Sequence, residues 1–247
     1  LGKNAKDAMR PHLYRLTIDP AQCQEEQVIL SVTQQHYLYR VVRLRAGDRC
    51  ILLNGQGQAW IAQLIGEQAQ LLESLPLTNE LPIPLTLLVA LPKGSGFEEI
   101  VRAGTELGVS EFVPVISDRT LLKPSPQKLT RWQRIAQEAT EQCERAIVPT
   151  LAPPQPWAEA LTQAQGLKLL ATARGNRPSL LQSLTGKPDH ISLATGPEGG
   201  WTIQEVEGAI AAGFQPIHLG SRILRAITAP IAAAAIIAAW EGVRSEE

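Results

Sequence analysis

Apolar positions along this chain follow two different periods. Over residues 13–75 they come in short runs: Leu13–Ile18, Val28–Ser31, Cys50–Asn54, Ala59–Ile65 and Ala69–Leu75. Turn chemistry separates them, most clearly Gly47-Asp48 and Asn54-Gly55-Gln56-Gly57, and such runs predict strands. Helical spacing breaks the pattern once, over about Gln34–Leu44. There Leu38, Val41 and Val42 share one face, and His36, Arg40 and Arg43 lie opposite. Short strands in this number predict a small barrel.

Pro76–Pro84 carries three prolines and reads as a linker. Beyond it, strand and helix alternate. Leu85–Leu91 has the unbroken apolar character of a buried parallel strand. Ser95–Leu107 predicts a helix with a Ser95/Glu98 capping box and Gly108 as its stop. Phe112–Ile116, Leu167–Ala173, Ile191–Thr195 and Ile217–Leu219 predict strands. Gln127–Arg145 predicts a long helix that buries Leu129, Trp132, Ile135, Ala136, Ala139 and Cys143. Thr202–Ala212 predicts another, and the last begins near Thr228 or Ala229, with Pro230 tolerated in its first turn. Residues 231–240 are apolar all round, so that helix must be covered on nearly every side, by its own chain or by a second subunit.

Two glycine turns stand out because each directly follows an apolar run and leads into a helical pattern. One is Gly196-Pro197-Glu198-Gly199-Gly200, and the other is Leu219-Gly220-Ser221-Arg222-Ile223-Leu224-Arg225. In open α/β sheets the loops at the C-terminal strand edge bind small ligands, so the two turns could wall one pocket. Taken alone, Gly-Pro-x-Gly-Gly reads first as an ordinary strand-to-helix turn. Thr202 and Glu205 have capping-box spacing, and Trp201 can staple onto Val206. A loop anchored this firmly suits a rigid site.

Composition narrows the picture. The 247 residues suffice for one large or two modest domains, 44% hydrophobic content argues against disorder, and the net charge of −1 confines any nucleic-acid binding to a local patch. The face formed by His36, Arg40 and Arg43, with Arg45 and Arg49 following and Arg10 and Arg15 nearby, suits phosphate contact. On pattern alone it reads first as a solvated helix face. Cys23, Cys50 and Cys143 and the four scattered histidines offer neither a disulfide framework nor a metal site. No membrane span or secretory signal is expected, and the cytoplasm is the default compartment. Met9 is taken as the natural start, and residues 1–8 are left out of the fold reading.

The two glycine turns together resemble the signature of the SPOUT methyltransferases, and within them the chain is most similar to the ribosomal RNA small subunit methyltransferase E family. The likeness extends to Lys93-Gly94, Thr105-Glu106-Leu107-Gly108-Val109, Pro114, Arg119, Glu141-Gln142-Cys143-x-Arg145-x-x-Val148-Pro149 and the N-terminal His36…Val41-Val42-Arg43-Leu44-x-x-Gly47-Asp48. It therefore covers nearly the whole chain.

The resemblance implies an α/β protein with a PUA-like β-barrel over residues 9–75, a linker over 76–84 and a trefoil-knotted methyltransferase domain over 85–247. It further implies S-adenosylmethionine as cofactor, a homodimer, and methylation of N3 of one uridine in 16S ribosomal RNA or the small ribosomal subunit. Thr195, Gly196, Glu198, Gly199, Gly200, Leu219, Gly220, Ile223, Leu224 and Arg225 are then the expected cofactor residues. Arg225 and Arg145 are expected to stabilise the anionic base, with Glu198 as a base, as a group orienting an arginine, or equally as a turn residue that accepts backbone hydrogen bonds. Arg10, His36, Arg40, Arg43, Arg45, Lys93 and Arg119 are the expected RNA contacts. Five positions depart from the family pattern: Gly96 and Ala103 replace basic residues, Ala226 a threonine, Ile227 a glutamate and Glu144 a glycine. These departures leave open a catalytically weakened assembly factor, and other SPOUT branches suggest a ribose 2′-O-methyltransferase.

Overall fold

A computed structural model describes residues 13–77, 79–122 and 124–244. Contacts divide the chain into two units: the described residues through Asn79 with Glu144–Ile147, and Glu80–Cys143 with the described residues from Val148 onward.

The first unit is a six-stranded sheet of β1 (Arg15–Thr17), β2 (Cys23–Gln24), β3 (Gln27–Ile29), β4 (Arg49–Leu53), β5 (Ala59–Ile65) and β6 (Gln68–Ser74). Its order is β1-β4-β5-β6-β3-β2, with β1 parallel to β4, so the expected small barrel is a half-barrel. Alternation sends Cys50 and Leu52 of β4 into a core with Val28, Leu38, Ala62 and Leu64, and sends Ile51 and Leu53 to the other face. The same alternation along β5 places Ala59 with Ile51 and Leu53, and Ala62 and Leu64 in the main core; the irregularity opposite Ile61 and Ala62 lies on β6, where Leu72 is the extra residue.

The helix expected over Gln34–Leu44 is instead α1 (Val32–His36), followed by one wide π turn over Tyr37–Val41. Ser31 and Gln34 form a capping box at its start. The Val42 N–H reaches the Tyr37 carbonyl at 2.9 Å, one residue further back than an α turn would. That extra residue rotates Val41, expected beside Leu38, out to 59% exposure, while Leu38 stays fully buried. Arg43 then turns left-handed (φ 65°), and the Leu44 N–H closes on the Leu38 carbonyl at 3.0 Å.

The second unit is a wholly parallel sheet of β7 (Leu85–Ala90), β8 (Glu111–Ile116), β9 (Thr150–Leu151), β10 (Gln155–Pro156), β11 (Leu167–Ala171), β12 (Ile191–Thr195) and β13 (Gln215–Ile217). The order is β10-β8-β7-β12-β11-β13, with β9 also on β8. Every residue of β7 and β12 is buried, as expected where helices cover both faces. One face carries α2 (Gly96–Glu106), α3 (Pro126–Gln142), α5 (Leu180–Ser183) and α7 (Thr228–Arg244). The other carries α4 (Trp157–Gln163) and α6 (Ile203–Ala211).

Three local expectations change. Ser95 makes no side-chain cap. Its carbonyl takes the Glu98 N–H, and the Glu98 carboxylate pairs with Arg131 at 2.8 Å instead of reaching back. α3 stops at Gln142, because Glu144 adopts φ 65° and breaks the helix before Arg145. Residues 231–240 of α7 are apolar all round, yet α7 buries one stripe, Pro230, Ala233, Ala234, Ile237 and Glu241, with Ala235 and Ala239 exposed.

Candidate functional site

The C-terminal edge of the parallel sheet is where the two glycine turns converge. β12 ends at Thr195, and its loop runs to Thr202, the N-cap of α6. The expected capping box is complete: Thr202 Oγ1 accepts the Glu205 N–H at 3.2 Å and Glu205 Oε2 accepts the Thr202 N–H at 2.7 Å. Glu205 is also bonded beyond its own helix. Its Oε1 accepts the Asp118 N–H at 2.9 Å, and Thr202 Oγ1 donates to Asp118 Oδ2 at 3.1 Å, which ties the loop after β8 to this one.

Further bonds fix the loop between those ends. Glu198 Oε1 accepts the Lys93 N–H at 3.0 Å from the loop after β7. Arg119 Nη1 donates to the Gly199 carbonyl at 2.6 Å. Trp201 packs with Val206 against the same apolar cluster; its ring also stacks on Trp157 at 4.5 Å, and its Nε1–H donates to the carbonyl of Ala171 at the end of β11, at 3.2 Å. These contacts leave little room for a side chain at two points. A Cβ on Gly196 would lie 3.1 Å from the Trp201 ring nitrogen, and one on Gly199 would lie 3.1 Å from Arg119 Cδ.

One cavity of about 1230 Å³ lies between these loops, and every residue expected to hold a cofactor lines it, from Thr195 to Gly200 on one side and Leu219 to Arg225 on the other. Thr195 Oγ1 is buried there without a hydrogen-bond partner. A buried unpartnered hydroxyl on a cavity wall is a place for a ligand's polar group. Arg225 and Arg119 also line the cavity.

Arg145 is 2% exposed, belongs with the Glu144–Ile147 segment of the first unit, and is not among the lining residues. His36, Arg40, Arg43, Arg45 and Arg49 are all exposed on the first unit. Arg15 is instead paired with Glu144 at 2.8 Å. Lys93 is exposed on the loop after β7. Arg10 lies outside the described residues.

Sequence reasoning missed the third loop of the cavity, which follows β11 and brings in Arg174 and Arg177. Its signal was present, because Arg174-Gly175-Asn176-Arg177-Pro178 is again a glycine turn after an apolar run. Carrying the strand to Ala173, two residues past its end at Ala171, absorbed the start of that turn.

Among the described residues, no group of three or more His, Cys, Asp or Glu could hold a metal ion, and no helix is long and apolar enough to cross a membrane.

Comparison with known proteins places these features in context. Residues 79–238 match the RNA methyltransferase domain family, and residues 30–75 match the RNA methyltransferase PUA domain. The ribosomal RNA small subunit methyltransferase E of Synechocystis sp. is 52% identical over 232 residues, covering 91% of this chain and 77% of that protein. Its namesake in Bacillus subtilis is 31% identical, covering 86% and 91%. Among solved structures, the ribosomal RNA small subunit methyltransferase E of Neisseria gonorrhoeae bound to S-adenosyl methionine superposes with a TM-score of 0.85 at 33% identity, over 93% of this chain and 98% of that one.

Proposed function

This chain belongs to the ribosomal RNA small subunit methyltransferase E family, and from that premise we propose that it transfers a methyl group from S-adenosylmethionine to N3 of a uridine in the 16S RNA of the small ribosomal subunit. The observation that carries this reading is the convergence of the two glycine loops on one cavity.

The cavity suits the cofactor. Backbone groups of 196–200 and 219–224 can approach adenine and ribose closely where glycines leave room, and the Thr195 hydroxyl is buried with a bond still to make. When bound, S-adenosylmethionine supplies a methyl group on sulfonium that needs no further activation. The protein's own task is to align N3 and favour loss of its proton. Arg225, exposed on the cavity wall, places a permanent positive charge where the uracil anion forms. Glu198 is already engaged with the Lys93 N–H and serves as the brace of the loop.

In this reading His36, Arg40, Arg43 and Arg45 contact RNA phosphates, and the protein works in the cytoplasm as a homodimer. The exposed small face of α7, Ala235 and Ala239, supports close approach of a second copy. The expected knot is supported by the path of the chain. β13 lies at the sheet's edge, yet α7, which follows it, packs on central strands β7 and β12.

Calorimetry with S-adenosylmethionine should show binding. Mapping methylated nucleotides in 16S RNA from cells with and without the protein should show one uridine losing its N3 mark. Absence of binding heat overturns the enzyme reading, and a missing ribose methyl in place of the N3 mark overturns the base assignment.

A further inference from the structure

The cavity is more basic than its cofactor requires. Five arginines line it (Arg119, Arg174, Arg177, Arg222 and Arg225) against two carboxylates, Glu198 and Glu207, a surplus of three positive charges in a chain of net charge −1. S-adenosylmethionine itself carries a sulfonium, an ammonium and one carboxylate, so it is a net cation that this surplus repels. The arginines therefore answer to an anionic ligand that shares the cavity.

Two of the five have tasks already. Arg119 holds the Gly199 carbonyl, and Arg225 faces the reacting base in the proposed function. The other three, Arg174, Arg177 and Arg222, are exposed and form no ion pair among the described residues. Arg174 and Arg177 flank Gly175, whose φ of 105° makes the tight turn after β11. The Arg177 side chain folds back over that turn, with Nε 3.4 Å from where a Cβ on Gly175 would stand. The cavity also exceeds the usual ~300–1000 Å³ of a small-ligand site. Its outer part has apolar walls at Ile203 (73% exposed), Ile210 (47%) and Ile223 (65%).

We propose that Arg174, Arg177 and Arg222 form a phosphate-binding rim that grips the RNA strand beside the target nucleotide, within the methyltransferase unit itself. The assignment rests on the RNA methyltransferase reading above. Planar guanidiniums suit phosphate oxygens, and the exposed isoleucines give an adjoining base an apolar surface to lie on.

The test compares wild type with Arg174→Ala/Arg177→Ala, and with Arg174→Lys/Arg177→Lys, in filter binding to 16S ribosomal RNA across about 50–200 mM salt. Two lost phosphate contacts should flatten the log–log salt slope by about 1.4, with affinity about tenfold weaker at physiological salt. The lysine variant should keep most of the slope, and calorimetry should give all three proteins the same affinity for S-adenosylmethionine. Wild-type slope and affinity in the alanine variant overturn the rim. Loss of cofactor affinity in parallel with RNA affinity also overturns it, by assigning the loop to the cofactor. A wild-type protein that neither binds RNA nor methylates it overturns the underlying function as well, whereas a working wild type with indifferent variants overturns the rim alone.

Discussion

Glu198 shows how a residue's position can be legible while its work is not. A carboxylate inside a glycine turn reads equally as a base or as a hydrogen-bond acceptor. The partner that decides, the Lys93 N–H at 3.0 Å, lies on a different strand's loop, far away in sequence. As a brace, Glu198 needs only an acceptor oxygen, which glutamine retains. Glu198→Gln should therefore lower the turnover number by less than about threefold, whereas removal of a general base costs about 10²–10⁴-fold. Single-turnover methylation assays separate the two. Cys50 carries a second residue-scale prediction. It is fully buried on β4, and burial pushes its thiol from an ordinary 9.0 to about 12. Because the folded value is the higher one, this contribution to stability is complete below pH 9 and is lost as pH rises from there toward 12, at about 1.4 kcal/mol per pH unit. Urea unfolding at stepped alkaline pH should show that limb, and Cys50→Ala should remove it.

At the scale of elements, local chemistry was readable where the partners are close in sequence. The α6 capping box joins residues three apart, and its bonds form as the spacing predicts. The Ser95/Glu98 box has the same spacing and fails, because Arg131 on α3 draws the Glu98 carboxylate away. The two-residue strands β9 and β10 and the four-residue α5 are too short to show a period, so they could not be seen in the sequence. Glu205 does more than cap. It is 6% exposed, and it accepts N–H groups from both Thr202 and Asp118. Glu205→Ala removes the acceptor from both donors at a part-buried site and should cost about 1–3 kcal/mol. Thermal unfolding measures the loss. Cofactor affinity should fall with it, because the loop between Thr195 and Thr202 loses its anchor.

For the molecule as a whole, the change from period two to alternating strand and helix announced two units of different construction. Strand order was beyond reach, since buried parallel strands such as β7 and β12 carry nearly interchangeable apolar runs. The basic face of the first unit was legible, and its arginines are exposed. Under the proposed function, Arg40→Glu/Arg43→Glu should weaken RNA binding at least tenfold and flatten its salt dependence, with cofactor affinity unchanged; unaltered binding would show a face that is merely solvated. What the sequence pattern did not suggest is that Glu144–Ile147 belongs with the first unit. The Gly57 N–H bonds the Ala146 carbonyl at 3.1 Å, Asn79 Nδ2 bonds the Glu144 carbonyl at 3.1 Å, and Arg15 pairs with Glu144. During translation this small unit therefore emerges with a gap in it. At roughly 5–20 residues per second, several seconds of synthesis separate its last contiguous residue from the segment that completes it, and α2 and α3 are made in the meantime.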